Sequence, residues 1–300
     1  MPATPTTTSK PSWRSYYYLA KPGIVYGNVI AVIAGYLFAL TEATFNVESF
    51  LSVLFGTSLI MGGACVLNNY IDRHIDARME RTKKRALVTG AVSVRSAFVF
   101  ATALLLLGFV VLALGTNIAT VVTGLIGVID YVLVYAWAKR AGSFGTAVGA
   151  ISGSTPPVAG YVAATGSFDI AASVLFLLMA FWQMAHFYAI ALYRVEDYRA
   201  AGIPVLPVVK NATATKRSIL IYVLLFLFTG MLVSYVTKAP WWFGVALIAG
   251  SLPWLGAVLQ RLTKSNQTVW ARLVFKRSLY ALLTFCALLS LVGLQRYFLP

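Results

Sequence analysis

Long apolar blocks, each about the length of a bilayer-crossing helix and separated by short polar segments, constrain this chain more than any other feature. A helix rises about 1.5 Å per residue, so about 20 residues cross a hydrocarbon core of roughly 30 Å. Nine such blocks lie near 17–40, 49–72, 95–114, 117–138, 144–164, 169–193, 217–236, 241–260 and 273–295. The fifth is the weakest, being rich in Gly, Ser and Pro. Only 11% of the residues are charged, against about 25% in a soluble domain. That leaves too few charges to coat a globule in water, so lipid is the expected solvent. The chain therefore reads as an all-α integral membrane protein with nine transmembrane helices. Residues 16–300 form one domain, and the Thr-, Ser- and Pro-rich stretch 1–15 is expected to be a disordered tail.

The formal charge is +15, from 24 Lys and Arg against 9 Asp and Glu. In a soluble protein this would suggest nucleic acid; here the bases cluster between apolar blocks, which excludes that reading in favour of membrane topology. Nine spans place the two ends on opposite sides. All the basic residues except Lys238 and Arg296 then fall on the side of the N-terminus. By the positive-inside rule that side is cytoplasmic. No signal peptide is evident, and the tail is very short, so a bacterial inner membrane is expected. Cys65 and Cys286 sit inside apolar blocks and read as small core residues, not a disulfide.

Five of the nine acids lie at two span ends on that basic side. The first group runs from Asn68 to Glu80. In it Asn68, Asp72 and Asp76 recur at i, i+4 and i+8, so on a helix they share one face. Three oxygen side chains on one stripe near lipid would repel one another without a cation. Hard oxygen ligands suit Mg2+, which shares its shell with substrate phosphates. Arg81, Lys83, Lys84 and Arg85 follow at once. Acids that hold a cation, followed by bases that hold an anion, suit a metal-bound diphosphate. The second group, Tyr193-Arg194-Val195-Glu196-Asp197-Tyr198, repeats the mixture, and Lys210 follows in the same loop. The competing reading is a set of interface charges paired in salt bridges.

Other polar residues have plainer readings. Asp130, inside the fourth span, is either functional or bonded to a Tyr or Ser of a neighbouring span. Asp169 is placed to cap the sixth span. Gly145, Gly149 and Gly153 suit close helix packing, and Pro156-Pro157 interrupts that span. His186, inside the sixth span, reads more simply as a packing residue than as a metal ligand.

The stretch Asn68-Asn69-Tyr70-Ile71-Asp72 through Asp76 to Lys83 resembles the first aspartate-rich motif of the UbiA-type intramembrane prenyltransferases. Lys21-Pro22-Gly23, Gly153 to Tyr161, Trp182-Gln183-Met184-Ala185-His186-Phe187 and Tyr193 to Lys210 narrow the likeness to the haem-prenylating branch of that family. Two positions depart from it: Ala185 and Ala86 stand where relatives carry proline. The resemblance implies nine helices around a central cavity, capped on the cytoplasmic face by the two motif loops. It implies transfer of the farnesyl group of farnesyl diphosphate to a vinyl group of haem b, with addition of water. Carried over by position, Asn68, Asp72, Asp76 and Asp197 would hold Mg2+. Arg78, Lys83, Arg85, Arg194 and Lys210 would hold the diphosphate, and His186 would contact the haem. A terminal oxidase or haem A synthase is the implied protein partner.

Two rivals remain open. A related prenyltransferase acting on an aromatic acid in quinone synthesis would share the first motif but lack the Trp182–Phe187 block. A transporter would place polar residues near the midplane of several spans, where this chain has Asp130 as its sole acid.

Overall fold

The computed structural model describes residues 12–237 and 239–299. The expected tail therefore lies mostly outside the described residues, as does Lys238. Described structure contradicts the tail boundary at its end, because the first helix already starts at Trp13. Ser12 caps it, accepting the Arg14 N–H at 3.3 Å.

In chain order the helices are α1 (Trp13–Leu19), α2 (Pro22–Ala39), α3 (Val47–Ile71), α4 (Arg73–Asp76), α5 (Val94–Gly115), α6 (Ile118–Ile129), α7 (Tyr135–Ala141), α8 (Gly145–Thr165), α9 (Ile170–Tyr193), α10 (Val195–Ala200), α11 (Leu206–Val209), α12 (Ala212–Val236), α13 (Trp242–Leu259) and α14 (Gln267–Phe298). A five-residue π-helical turn, Asp130–Val134, joins α6 to α7, so the fourth span runs unbroken to Ala141. No strand occurs among the described residues.

Eight of these spans are both long and apolar enough to cross a bilayer. The ninth, α8, has the length, at 21 residues, but not the hydropathy. Its surroundings explain this: α8 packs against α2, α3, α6, α7 and α9. A helix enclosed by protein is selected for small residues that admit close neighbours. A Cβ at Gly153 would stand 2.0 Å from Gln183 Oε1, and one at Gly160 would stand 2.0 Å from the Val32 carbonyl oxygen. The Gly145, Gly149, Gly153 series thus packs as its spacing predicts. The last helix closes on the first spanning helix, α14 against α2. There a Cβ at Gly293 would lie 1.7 Å from the Leu37 carbonyl oxygen.

Helix starts follow the sequence closely. Asn46, Ser93, Asn117, Asp169 and Asn211 each accept a backbone N–H from the residue three places on. Such caps satisfy donors that a helix leaves unpaired. Three spans differ most from expectation. The first is split at Ala20-Lys21, the seventh starts at Ala212 instead of 217, and the last starts at Gln267 instead of 273. At 32 residues α14 is about 48 Å long, so it outruns the hydrocarbon, and Arg272 lies on helix ahead of the block where the span was expected to begin. Cys65 and Cys286 are buried and free.

Candidate functional site

The site forms at the end of the bundle that carries the motif loops. Helix α3 ends at Ile71, yet the helical bonding carries through. Asp72 N–H donates to the Asn68 carbonyl at 2.9 Å, and Asp76 N–H to the Asp72 carbonyl at 2.7 Å. Asn68, Asp72 and Asp76 therefore share one stripe, as their spacing predicts. All three are buried, at 3%, 8% and 4% exposure.

Each member of the stripe meets a base from elsewhere in the chain. Lys21 Nζ donates to Asn68 Oδ1 at 2.9 Å and lies 3.4 Å from the Tyr131 hydroxyl. Lys139 pairs with Asp72 Oδ2, and Arg140 reaches Asp72 Oδ1 at 3.1 Å. Arg85 contacts Asp76 Oδ2 at 2.5 Å. Two carboxylates against four cations leave an excess of two positive charges, which suits a polyanion. The repulsion expected along the stripe is thus relieved by bases in this structure.

Lys21 reaches the stripe because of how the chain breaks before α2. It adopts a left-handed conformation (φ 51°, ψ 62°), the sole non-glycine residue with positive φ among the described residues. Pro22 disfavours the right-handed helical region for the residue before it. Strain of this kind costs about 1–3 kcal/mol and persists where neighbours enforce it. Here Asn69 Nδ2 holds the Leu19 carbonyl at 2.9 Å. Burial draws the Lys21 ammonium down to about 8.

The second motif packs onto the first. Asp197 Oδ1 accepts the Glu80 N–H at 3.2 Å, 117 residues away. Met79, Ala201 and Ile203 form a small buried cluster beneath this contact. Arg194 lies 3.8 Å from Asp197 Oδ2, and its Nε is buried without a partner. Lys83 pairs with Glu80 at 2.6 Å on the surface. Arg78 and Lys210 are exposed. The structure thus gathers Asn68, Asp72, Asp76 and Arg85, places Asp197 and Arg194 alongside, and leaves Arg78, Lys83 and Lys210 on the loop surfaces.

Lys139 and Arg140 were read in the sequence only as topology signals, and Lys21 only as part of a motif. Tyr131 and Tyr135 carried no signal at all. The π turn, a feature frequent at functional sites, brings Tyr131 within 3.4 Å of Asn68 Oδ1. The two rings stack at 5.9 Å and 9°, with Lys139 Nζ 5.1 Å from the Tyr135 centroid. Asp130 accepts the Ser152 N–H at 2.9 Å, the plainer of its two readings. Two open clefts, of about 420 and 350 Å³, lie at the opposite end of the bundle, around Asn46 and Asn117 and around Tyr161 and Asp169.

His186 stands apart, in α9, stacked on Trp182 at 4.6 Å and bonded through Nδ1 to Ser278 Oγ at 2.7 Å. It is buried, at 8% exposure.

The donor chemistry fits a hard divalent cation. Asn68, Asp72 and Asp76 offer oxygen atoms one helical turn apart on one buried stripe. Among the described residues no three His, Cys, Asp or Glu side chains are grouped to hold a metal alone. A cation here would complete its shell with substrate oxygens and water, the habit of Mg2+.

Known proteins share both sequence and fold. Protoheme IX farnesyltransferase of Yersinia enterocolitica is 41% identical over 278 residues, covering 92% of this chain and 94% of its own. The Edwardsiella ictaluri protein of the same name is 39% identical over 279 residues, with 93% and 94% coverage. Among solved structures, a UbiA homologue from Aeropyrum pernix superposes with a TM-score of 0.70 at 17% identity, covering 90% of this chain and 97% of its own. One from Archaeoglobus fulgidus, bound to GPP and Mg2+, gives 0.62 at 18% identity, covering 90% and 99%. Residues 28–280 match the UbiA prenyltransferase family as a whole. With most of its length shared with that family, and with its all-helical fold, the chain belongs to the UbiA prenyltransferases.

Proposed function

We propose that this protein transfers the farnesyl group of farnesyl diphosphate to a vinyl group of haem b, with addition of water, giving haem O and diphosphate. The observation that carries the donor half is the buried Asn68-Asp72-Asp76 stripe ringed by Lys21, Arg85, Lys139 and Arg140. The acceptor half rests on the relatives named for protoheme IX farnesyl transfer.

Asn68, Asp72, Asp76 and Asp197 would hold Mg2+, which when bound neutralises charge growing on the leaving diphosphate. The chain's own bases do the rest. Arg85, Lys139 and Arg140 are already aimed at the stripe; they let go of their carboxylates and donate to the phosphate oxygens instead. Arg78, Lys83, Arg194 and Lys210, on the two loops, close over the same anion. Preset cations at the leaving group lower the barrier to ionising an allylic C–O bond. The farnesyl cation adds to the vinyl terminus, and water captures the resulting carbocation beside the porphyrin, losing a proton. Apolar helix surface keeps water from the allyl cation before that step. His186 would contact the haem.

The basic asymmetry of the loops supports placing the motif end, and the N-terminus, on the cytoplasmic side of a bacterial inner membrane. Haem O would pass from there to haem A synthase or a terminal oxidase.

Haem analysis by liquid chromatography and mass spectrometry tests the reaction in bacterial membranes lacking their own haem O synthase. Expression of this protein should produce a farnesylated haem peak that Asp76→Ala abolishes. Inserted, abundant protein without that peak would sink the haem reading and turn attention to an aromatic acceptor.

A further inference from the structure

We propose that Ser278 is a positioning residue that fixes the tautomer of His186, leaving the Nε2 lone pair free to bind the iron of the substrate haem. The inference rests on the haem reading above and adds to it the atom that meets the iron and the group that prepares it.

The argument begins with proton counting. The Ser278 hydroxyl has one hydrogen, and it donates to the Phe275 carbonyl at 2.6 Å, one turn back in α14. Its oxygen lies 2.7 Å from His186 Nδ1. With the hydroxyl proton committed to the carbonyl, the short contact to the ring needs its hydrogen on Nδ1. A neutral imidazole carries one N–H, so Nε2 is the bare nitrogen. No described residue bonds to Nε2. Iron-ligating histidines are prepared in this way, with the distal ring N–H held by a fixed acceptor.

Ring orientation is fixed as well as protonation. The imidazole stacks on Trp182 at 4.6 Å and 23°, and lies 4.8 Å from Phe275 and 5.7 Å from Phe187. Trp182 is itself held by Ser278, whose carbonyl accepts the indole N–H at 2.7 Å. One residue of α14 thus anchors both Trp182 and His186 of α9, through its carbonyl and its hydroxyl. A histidine needed only for packing could use either tautomer. This one is held in the tautomer that leaves an unshared nitrogen inside an apolar, aromatic niche, where a porphyrin iron is an apt partner.

The test uses the purified full-length protein in detergent, loaded with haem b and followed by Soret absorption and electron paramagnetic resonance. Wild type should show a nitrogen-ligated haem. His186→Gly should lose that ligand and regain it with added imidazole. Ser278→Ala should weaken haem affinity by about 10-fold or more, the usual effect of removing such a partner, and blur the ligand signature. Ser278→Thr, which keeps the hydroxyl, should restore both. Binding of a non-reactive farnesyl thiodiphosphate to each variant confirms that the fold survives. Wild type that binds haem and makes haem O without a nitrogen ligand would overturn the inference alone, as would Ser278→Ala indistinguishable from wild type. Wild type that neither binds nor farnesylates haem would overturn the haem reading and this inference together.

Discussion

The two motif loops face each other, yet they are built differently. In the first, Asn68, Asp72 and Asp76 are nearly sealed, and each is matched with bases: Asn68 with Lys21 before α2, Asp72 with Lys139 and Arg140 of α7, and Asp76 with Arg85 of its own loop. In the second, Asp197 holds a backbone N–H and a loose 3.8 Å contact to Arg194, while Glu196 pairs with Arg199 on the surface. Removing one partner of a buried pair leaves a charge stranded away from water, whereas an exposed pair contributes little to stability. The first motif is thus bound up with the fold, and the second is free to answer to substrate.

This contrast can be broken most forcefully at Asp72. Asp72→Asn should abolish farnesyl transfer and also destabilise the protein by about 3–5 kcal/mol, because Lys139 loses its counter-charge. A thermal-shift measurement in detergent reads the second effect. Asp72→Asn/Lys139→Met should recover the melting temperature without recovering activity. Recovery of both would remove Asp72 from the reaction.

Asp197→Asn should cut turnover by about 100-fold, within the range for a group that stabilises developing charge, and shift stability by less than about 1 kcal/mol. A fall in stability as large as that of Asp72→Asn would erase the distinction between the loops. Smaller still is Glu196→Gln. Its pair with Arg199 is exposed, so denaturant midpoint and activity should both stay at the wild-type value.

The legible parts of the molecule were those encoded locally. Caps such as Asp169 sit at the point where an apolar block begins, and the acidic stripe follows from a four-residue spacing that survives the end of α3. The fifth span was legible only as a weak one, because a helix buried among protein neighbours needs small residues and not apolar ones. What stayed hidden was pairing at a distance. Lys21 meets Asn68 across 47 residues, Lys139 meets Asp72 across 67, and His186 meets Ser278 across 92. No local pattern encodes such contacts. The break before α2 had a signal in Lys21-Pro22, but the apolar run on both sides masked it. The polar stretch 267–272 with Arg272 hid the start of the last helix, because a helix that outruns the bilayer carries charge as well as a loop does.

The central claim is that the Asn68-Asp72-Asp76 stripe and its bases handle a metal-bound farnesyl diphosphate. The most direct test is transfer of radiolabelled farnesyl from its diphosphate to haem b by the purified protein, with Mg2+ or with EDTA, in wild type and Asp76→Ala. The account predicts labelled haem only in wild type with Mg2+. Equal labelling in EDTA, or by Asp76→Ala, would contradict it.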